Sequence, residues 1–174
     1  HPDNVAPAIL GGIISGVVKK HEDFKYIKIK PPKNLKAVVS IPNFYLSTKT
    51  ARNILPKEIK RADAIFNISR AALLTSALFS NRLDLLEIAT EDKIHQDYRA
   101  KFIPNLNELF KETKKAGAYS TTISGAGSSI LALVKDDKKI IEKVSKAMNL
   151  SFKKKNVESV IKVLNIPSKG LIII

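Results

Sequence analysis

Cysteine is absent from the 174 residues. That excludes disulfides and thiolate chemistry and agrees with a cytoplasmic protein. No apolar run approaches the length of a membrane span, and the closing stretch from Leu171 is long enough only for a final strand or tail. The start has no initiator Met, no charged leader and no secretory signal, so the opening reads as the interior of a longer protein. Acidic residues are scarce, 16 against 30 Lys and Arg, for a formal charge of +14. Aromatics are scarce too, and few lie among the lysines at Lys19-Lys20, Lys25, Lys28, Lys30, Lys33, Lys36 and Lys153-Lys154-Lys155. A dispersed pattern of this kind predicts a solvated, lysine-rich surface; neither nucleic acid nor a membrane is the expected partner. Internal repeats and low-complexity linkers are also lacking. With 44% apolar residues, the chain can bury a proper core.

Against these absences one run stands out, Ser124-Gly125-Ala126-Gly127-Ser128-Ser129. It joins an alternating segment, Tyr119 to Ile123, to an apolar one, Ile130 to Val134. An ordinary hairpin turn would need only Asn-Gly or Asp-Gly. Glycine at 125 and 127 permits positive φ and lets a phosphate or a neighbouring loop approach the backbone. A tightly packed hairpin would also use small residues, so the run alone does not decide.

A second dense motif opens the chain: His1-Pro2-Asp3-Asn4-Val5-Ala6-Pro7-Ala8, followed by Gly11-Gly12. Asp3 or Asn4 is suited to cap a short helix, and Gly11-Gly12 to release it into a strand. The same polar groups, aimed by a helix end, can also grip a small ligand.

Four segments in order carry a resemblance to the homoserine kinases of the GHMP kinase superfamily. They are the opening HPDNVAPA motif, Ser47-Thr48-Lys49-Thr50-Ala51-Arg52 with Leu55-Pro56, Asp92-Lys93-Ile94-His95-Gln96-Asp97-Tyr98-Arg99, and Ser124-Gly125-Ala126-Gly127. The superfamily's phosphate loop, P-x-x-x-G-L-G-S-S-A, does not occur in these residues. The resemblance therefore implies a C-terminal kinase portion that is inactive by itself. The N-terminal ATP-binding portion of the same protein would be its partner.

The resemblance implies phosphoryl transfer from ATP, with Mg2+, to L-homoserine. It places His1, Asn4, Arg52 and Arg99 at the substrate and Thr48 and Asn4 nearest the reacting groups. It makes Ser124, Gly125, Ala126 and Gly127 a third-motif loop that packs against the ATP loop. Two arginines suit an α-carboxylate because a planar guanidinium binds it in bidentate fashion. Arg99 could instead pair with Asp92 or Asp97. Asp3 is not assigned as a base, since a loose phosphoryl-transfer transition state can be served by positioning and charge. His95 is expected to be a structural hydrogen-bonding residue and His21 a solvated turn residue. Ser128 departs from the Pro that many relatives carry there. No metal ligand is expected in this portion, and a homodimer is left open. The alternatives are another small-alcohol kinase of the superfamily and a non-catalytic basic binding module.

The expected fold is α+β: a ferredoxin-like split βαβ with extra helices, preceded by a β-hairpin belonging to the N-terminal domain. Residues 1–31 would end that first domain, and residues 36–174 would form the C-terminal GHMP kinase domain. Ile13 to Val18 and Phe24 to Ile29 read as a hairpin, with Lys28 and Lys30 facing water opposite Ile27 and Ile29. Pro31-Pro32 ends it. A buried strand is expected at Ala37 to Ile41 and a long helix from Lys57 to Phe79, with Ala62, Ile65, Phe66, Ser69, Leu73 and Ala77 on its inner face. Shorter helices follow at Leu83 to Ala89 and Leu106 to Lys115. The hairpin around the glycine run comes next, then a helix with Ile140, Ile141, Val144 and Met148 on one side. A strand from Val157 to Leu164 closes the pattern.

Overall fold

The computed structural model describes residues 2–19 and 23–172. His1 and His21, both given roles above, lie outside them. The chain begins with α1 (Pro2–Leu10) and an antiparallel hairpin of β1 (Ile13–Val18) and β2 (Phe24–Ile29), in register Ile13 to Ile29. Asp3 and Asn4 sit inside the first turn of α1, not at its cap, and Pro7 lies within the helix. Gly11 and Gly12 end it at φ 66 and 75, with the Gly11 N–H bonded to the Pro7 carbonyl at 2.8 Å. These are positions that glycine occupies without strain.

A second sheet holds β3 (Leu35–Pro42), β4 (Ser120–Ile123), β5 (Ile130–Lys135) and β6 (Ser159–Asn165) in the order β4-β5-β3-β6. Every pairing is antiparallel. Numbered from β3, that order is the ferredoxin-like arrangement: the first crossover leads to the edge strand β4, β5 returns to fill the place beside β3, and the second crossover sets β6 on the other side of β3. The first crossover is long. It contains α2 (Thr48–Asn53), α3 (Arg61–Phe79), a 3-10 turn at Leu83–Leu85, α4 (Leu86–Ala89), α5 (Gln96–Arg99), a 3-10 turn at Ala100–Phe102 and α6 (Leu106–Lys115). The second is α7 (Lys138–Lys153), whose cap Asp137 accepts the Ile140 N–H at 3.1 Å.

The main core lies between the sheet and α6 and α7. Val38, Ile123, Ile130, Ala132 and Val134 meet Leu109 from α6 and Val144, Met148 and Phe152 from α7. A second cluster joins the hairpin to the other side of the sheet, with Ile29, Leu35, Ala77, Leu78, Leu83 and Leu86.

Two expectations change here. The long helix starts at Arg61, because Lys60 is extended (φ −65, ψ 139) and residues 57–60 are exposed. Its inner face keeps Phe66, Leu73 and Ala77, whereas Ala62, Ile65 and Ser69 face solvent. Likewise Ile27, expected on the covered side of β2, is 62% exposed, and only Ile29 is buried. The second cluster reaches that end of the hairpin and no further.

Candidate functional site

Ser47 is extended and its Oγ accepts the Thr50 N–H at 3.0 Å, an N-cap that starts α2 at Thr48. Thr48 is therefore exposed on the first turn and Arg52 exposed on the last, with Ala51 buried between them. The glycine run closes the β4–β5 hairpin. The Ser124 N–H bonds to the Ser129 carbonyl at 2.8 Å, and the Gly127 N–H to the Ser124 carbonyl at 3.0 Å.

The two glycines do different things. A Cβ at Gly127 (φ 89) would press on Ile103 and Ile123 at 3.3 Å and on Leu46 at 3.5 Å. At Gly125 (φ 57) a Cβ would meet nothing within 4 Å. One glycine lets the loop settle onto the core; the other leaves the backbone open to an approaching group. Ser128 adds a tether, its Oγ donating to the Phe44 carbonyl at 2.7 Å.

Four-residue α5 joins these pieces. Arg99, in its last turn, donates from Nε to the Ala51 carbonyl at 3.2 Å and from Nη1 to the Gly125 carbonyl at 2.9 Å. One guanidinium thus brings together the helix that carries Thr48 and Arg52 and the third-motif loop. The expected alternative, an Arg99 pair with Asp92 or Asp97, is not the arrangement found.

Asp92 has other partners. Its carboxylate accepts Asn67 Nδ2 at 2.6 Å, the Ile94 N–H at 2.8 Å, the Gln96 N–H at 2.9 Å and the His95 N–H at 3.1 Å. His95 Nδ1 lies 3.5 Å away from it. Burial pushes the Asp92 acid up. The bonds from Asn67, Ile94 and Gln96, with His95 beside it, outweigh burial and hold it below the ordinary carboxylate range. The short helix is thereby capped from outside its own residues.

Gln96 went unremarked in the sequence beyond its place in a motif. Its Oε1 accepts the Ile123 N–H at 2.9 Å and its Nε2 donates to the Thr90 carbonyl at 3.2 Å. Asn67 was missed altogether; it also accepts the Lys93 N–H at 3.0 Å. An acidic residue followed by backbone donors two to four positions on is a local capping pattern and could have pointed to Asp92. Nothing local points to Asn67 or to the second partner of Gln96.

Asn4 is exposed on α1. That helix packs on β1, and its C-terminal end meets the stretch near Gly170, where the Leu171 N–H bonds to the Ile9 carbonyl. The structure thus links Thr48, Arg52, Arg99 and the glycine loop through one side chain, and places Asn4 on another element. A cleft of about 490 Å³ lies beside α5, lined by Phe66, Asp92, Gln96, Phe110, Tyr119 and Thr121 among others. Among the described residues no cluster of His, Asp or Glu side chains is placed to hold a metal ion. No helix among them is long and apolar enough to cross a membrane.

Comparison with known proteins gives a consistent picture. Residues 72–150 match the family described as GHMP kinases C terminal. A homoserine kinase of Persephonella marina is 44% identical over 170 residues, covering 98% of this chain and 55% of that protein. A homoserine kinase of Clostridium botulinum is 37% identical over 174 residues, covering 100% and 57%. The crystal structure of a homoserine kinase from Cytophaga hutchinsonii superposes with a TM-score of 0.89 at 32% identity, covering 98% of this chain and 53% of that one. The chain spans about half the length of the curated relatives it matches.

Proposed function

We propose, for a chain that carries the C-terminal domain of the GHMP kinases and is related along nearly all its length to homoserine kinases, that its parent enzyme transfers the γ-phosphoryl group of ATP to the hydroxyl of L-homoserine. The product is O-phospho-L-homoserine, an early intermediate of threonine synthesis, and the setting is the cytoplasm. The observation that carries the reading is the pair of hydrogen bonds that Arg99 donates to the Ala51 and Gly125 carbonyls. They gather three of the four motifs that resemble homoserine kinases into one site.

In this reading Arg52 and the remaining Nη2 donors of Arg99 bind the substrate carboxylate, and Asn4 and His1 complete the grip on the amino acid. The Thr48 hydroxyl steadies the transferring phosphoryl group. The open backbone at Gly125 takes the ATP loop of the N-terminal portion against it. Nucleotide binding belongs mainly to that portion, and Mg2+ would come with the phosphates, since no described carboxylate cluster here suits it. Catalysis then rests on alignment and charge stabilisation, which phosphoryl transfer accepts.

We further propose that residues 1–31 complete the N-terminal domain and that residues 36–174 form the C-terminal one. Exposed Val17 (65%) and Ile27 support this, because a lone two-stranded hairpin is marginal in water.

The test is a coupled ADP-release assay on the full-length enzyme with homoserine, mevalonate, shikimate and galactose. Preference for any alcohol but homoserine overturns the reading. Arg52→Ala and Arg99→Ala should each raise the homoserine KM, each losing a charged hydrogen bond of about 1.5–3 kcal/mol. Thr48→Ala should lower kcat with KM little changed. Asp3→Asn should leave measurable turnover, whereas loss of a true base typically removes about 10²–10⁴-fold.

A further inference from the structure

The geometry points to Gln96 as a positioning residue for the reaction: its side-chain amide fixes the glycine loop to the helix that carries Arg99. The kinetic part of this inference rests on the homoserine kinase reading; the mechanical part does not.

Three observations converge on the residue. Gln96 Oε1 accepts the N–H of Ile123, the last residue of β4 and the one directly before Ser124. Its Nε2 donates to the Thr90 carbonyl, so the amide is held at both ends and cannot rotate without losing a bond. Three residues later on the same short helix, Arg99 reaches the Gly125 carbonyl. The loop is therefore held from α5 at two points, one on each side of Ser124. The helix itself is fixed by Asp92, and Asp92 by Asn67 of α3.

A four-residue helix has almost no stability of its own. Its position must come from such outside contacts. Packing at Gly127 secures the far side of the loop through Ile103, Ile123 and Leu46. On the near side Ile123 is in the core, but a Cβ at Gly125 would meet nothing within 4 Å, and there hydrogen bonds take the place of packing.

A substrate arginine and a phosphate-side loop must keep their separation through the reaction, because misplacement of about 1 Å can cost roughly a hundredfold in rate. Gln96 adds a second tie between the two, beside the direct bond from Arg99 to Gly125, without being placed at the substrate itself.

The experiment uses the full-length enzyme with Gln96→Met, which keeps volume and removes both hydrogen bonds, and Gln96→Glu, which keeps the acceptor for Ile123. In Gln96→Met, amide hydrogen exchange across residues 124–129 should quicken by about tenfold or more while α7 is unchanged. The homoserine KM should rise about tenfold with the melting temperature within a few degrees of wild type. Gln96→Glu should be milder. Its neutral acid can still donate to Thr90, so its KM should move toward the wild-type value as pH is lowered, on top of the response that Asp92 beside it gives to both enzymes.

A folded Gln96→Met enzyme with wild-type loop exchange and wild-type KM overturns the inference. If Gln96→Met does not fold, a Gln96→Glu enzyme with wild-type exchange and a wild-type pH profile overturns it instead. A wild-type enzyme inactive on homoserine sinks the functional reading alone, and the exchange measurement still decides the role of Gln96.

Discussion

One face of the four-stranded sheet turns Val38, Ile130, Ala132 and Val134 onto α6 and α7, where all are fully buried. The opposite face turns Leu35 and Leu133 onto α3 and the hairpin at one end, but leaves Ile41 and Val160 in solvent at the other and Leu164 in solvent on the edge strand. Register explains part of this: Ile41 pairs with Val160, both exposed, and Val38 with Ala132, both buried, whereas Val163, paired with Val38 on the edge strand, is 48% exposed. The first face is finished by this chain's own helices. The second, with exposed Ile65, Ile68 and Phe79 along α3 and Val17 and Ile27 on the hairpin, is finished only in part. Among the described residues the second face thus carries the larger share of exposed apolar side chains.

The comparison breaks most readily at Phe152. This residue fills the closed face at 0% exposure, and Phe152→Ala should cost about 3–5 kcal/mol, with a matching fall in the urea midpoint. Val160→Ala on the open face should stay within about 0.5 kcal/mol by the same measurement in the isolated chain. Equal losses at the two positions would mean that the open face is covered.

A smaller effect lies at the joint between the faces, where Asp92 ties α3 to α5. Its folded carboxyl titrates below its unfolded value, so its stabilising contribution is present above the ordinary carboxylate range and is lost as pH falls through that range. Stability of the wild type should drop there, and Asp92→Asn should be less stable near neutrality and flatter with pH. Urea melts at a series of pH values would show a parallel wild-type and variant response if Asp92 carries no such linkage.

The smallest effect is on the closed face itself. Ser40 is fully buried and its Oγ has no hydrogen-bond partner among the described residues. Ser40→Ala should be neutral or slightly stabilising, within about 1 kcal/mol, because it removes a hydroxyl whose burial is uncompensated. A clear loss in the thermal melt would show that the hydroxyl is satisfied in solution.

Much of the fold was legible because its signals are local. Alternation and a small-residue turn located both hairpins, and α6 was bounded at Leu106 and Lys115 as the apolar spacing suggests. The face of α3 was not legible, since apolar side chains occur all around that helix and only contacts distinguish Phe66 from Ile65. The six-residue α2 was passed over despite the Ser47 cap, because so short a segment offers no periodicity. At the site, the motifs marked Thr48, Arg52, Arg99 and the glycines. The bonds that join them run between residues far apart in the chain, 48 positions for Arg99 to Ala51 and 27 for Ile123 to Gln96. No window of sequence contains such a pair.

The order of strands also bears on how the protein is made. β3 occupies an inner position, yet its two neighbours come from β5 and β6, the latter bonded through Lys36 and Asn165 at a separation of 129 residues. On the ribosome β3 therefore emerges long before either partner, with both edges and the apolar run Ala37-Val38-Val39 uncovered. Nascent chains would have to wait for β6 before the sheet could close, which favours slow, late folding and a window of exposure to aggregation. A messenger truncated before the codons for Ser159–Asn165 would release a chain whose inner strand has one permanently open edge.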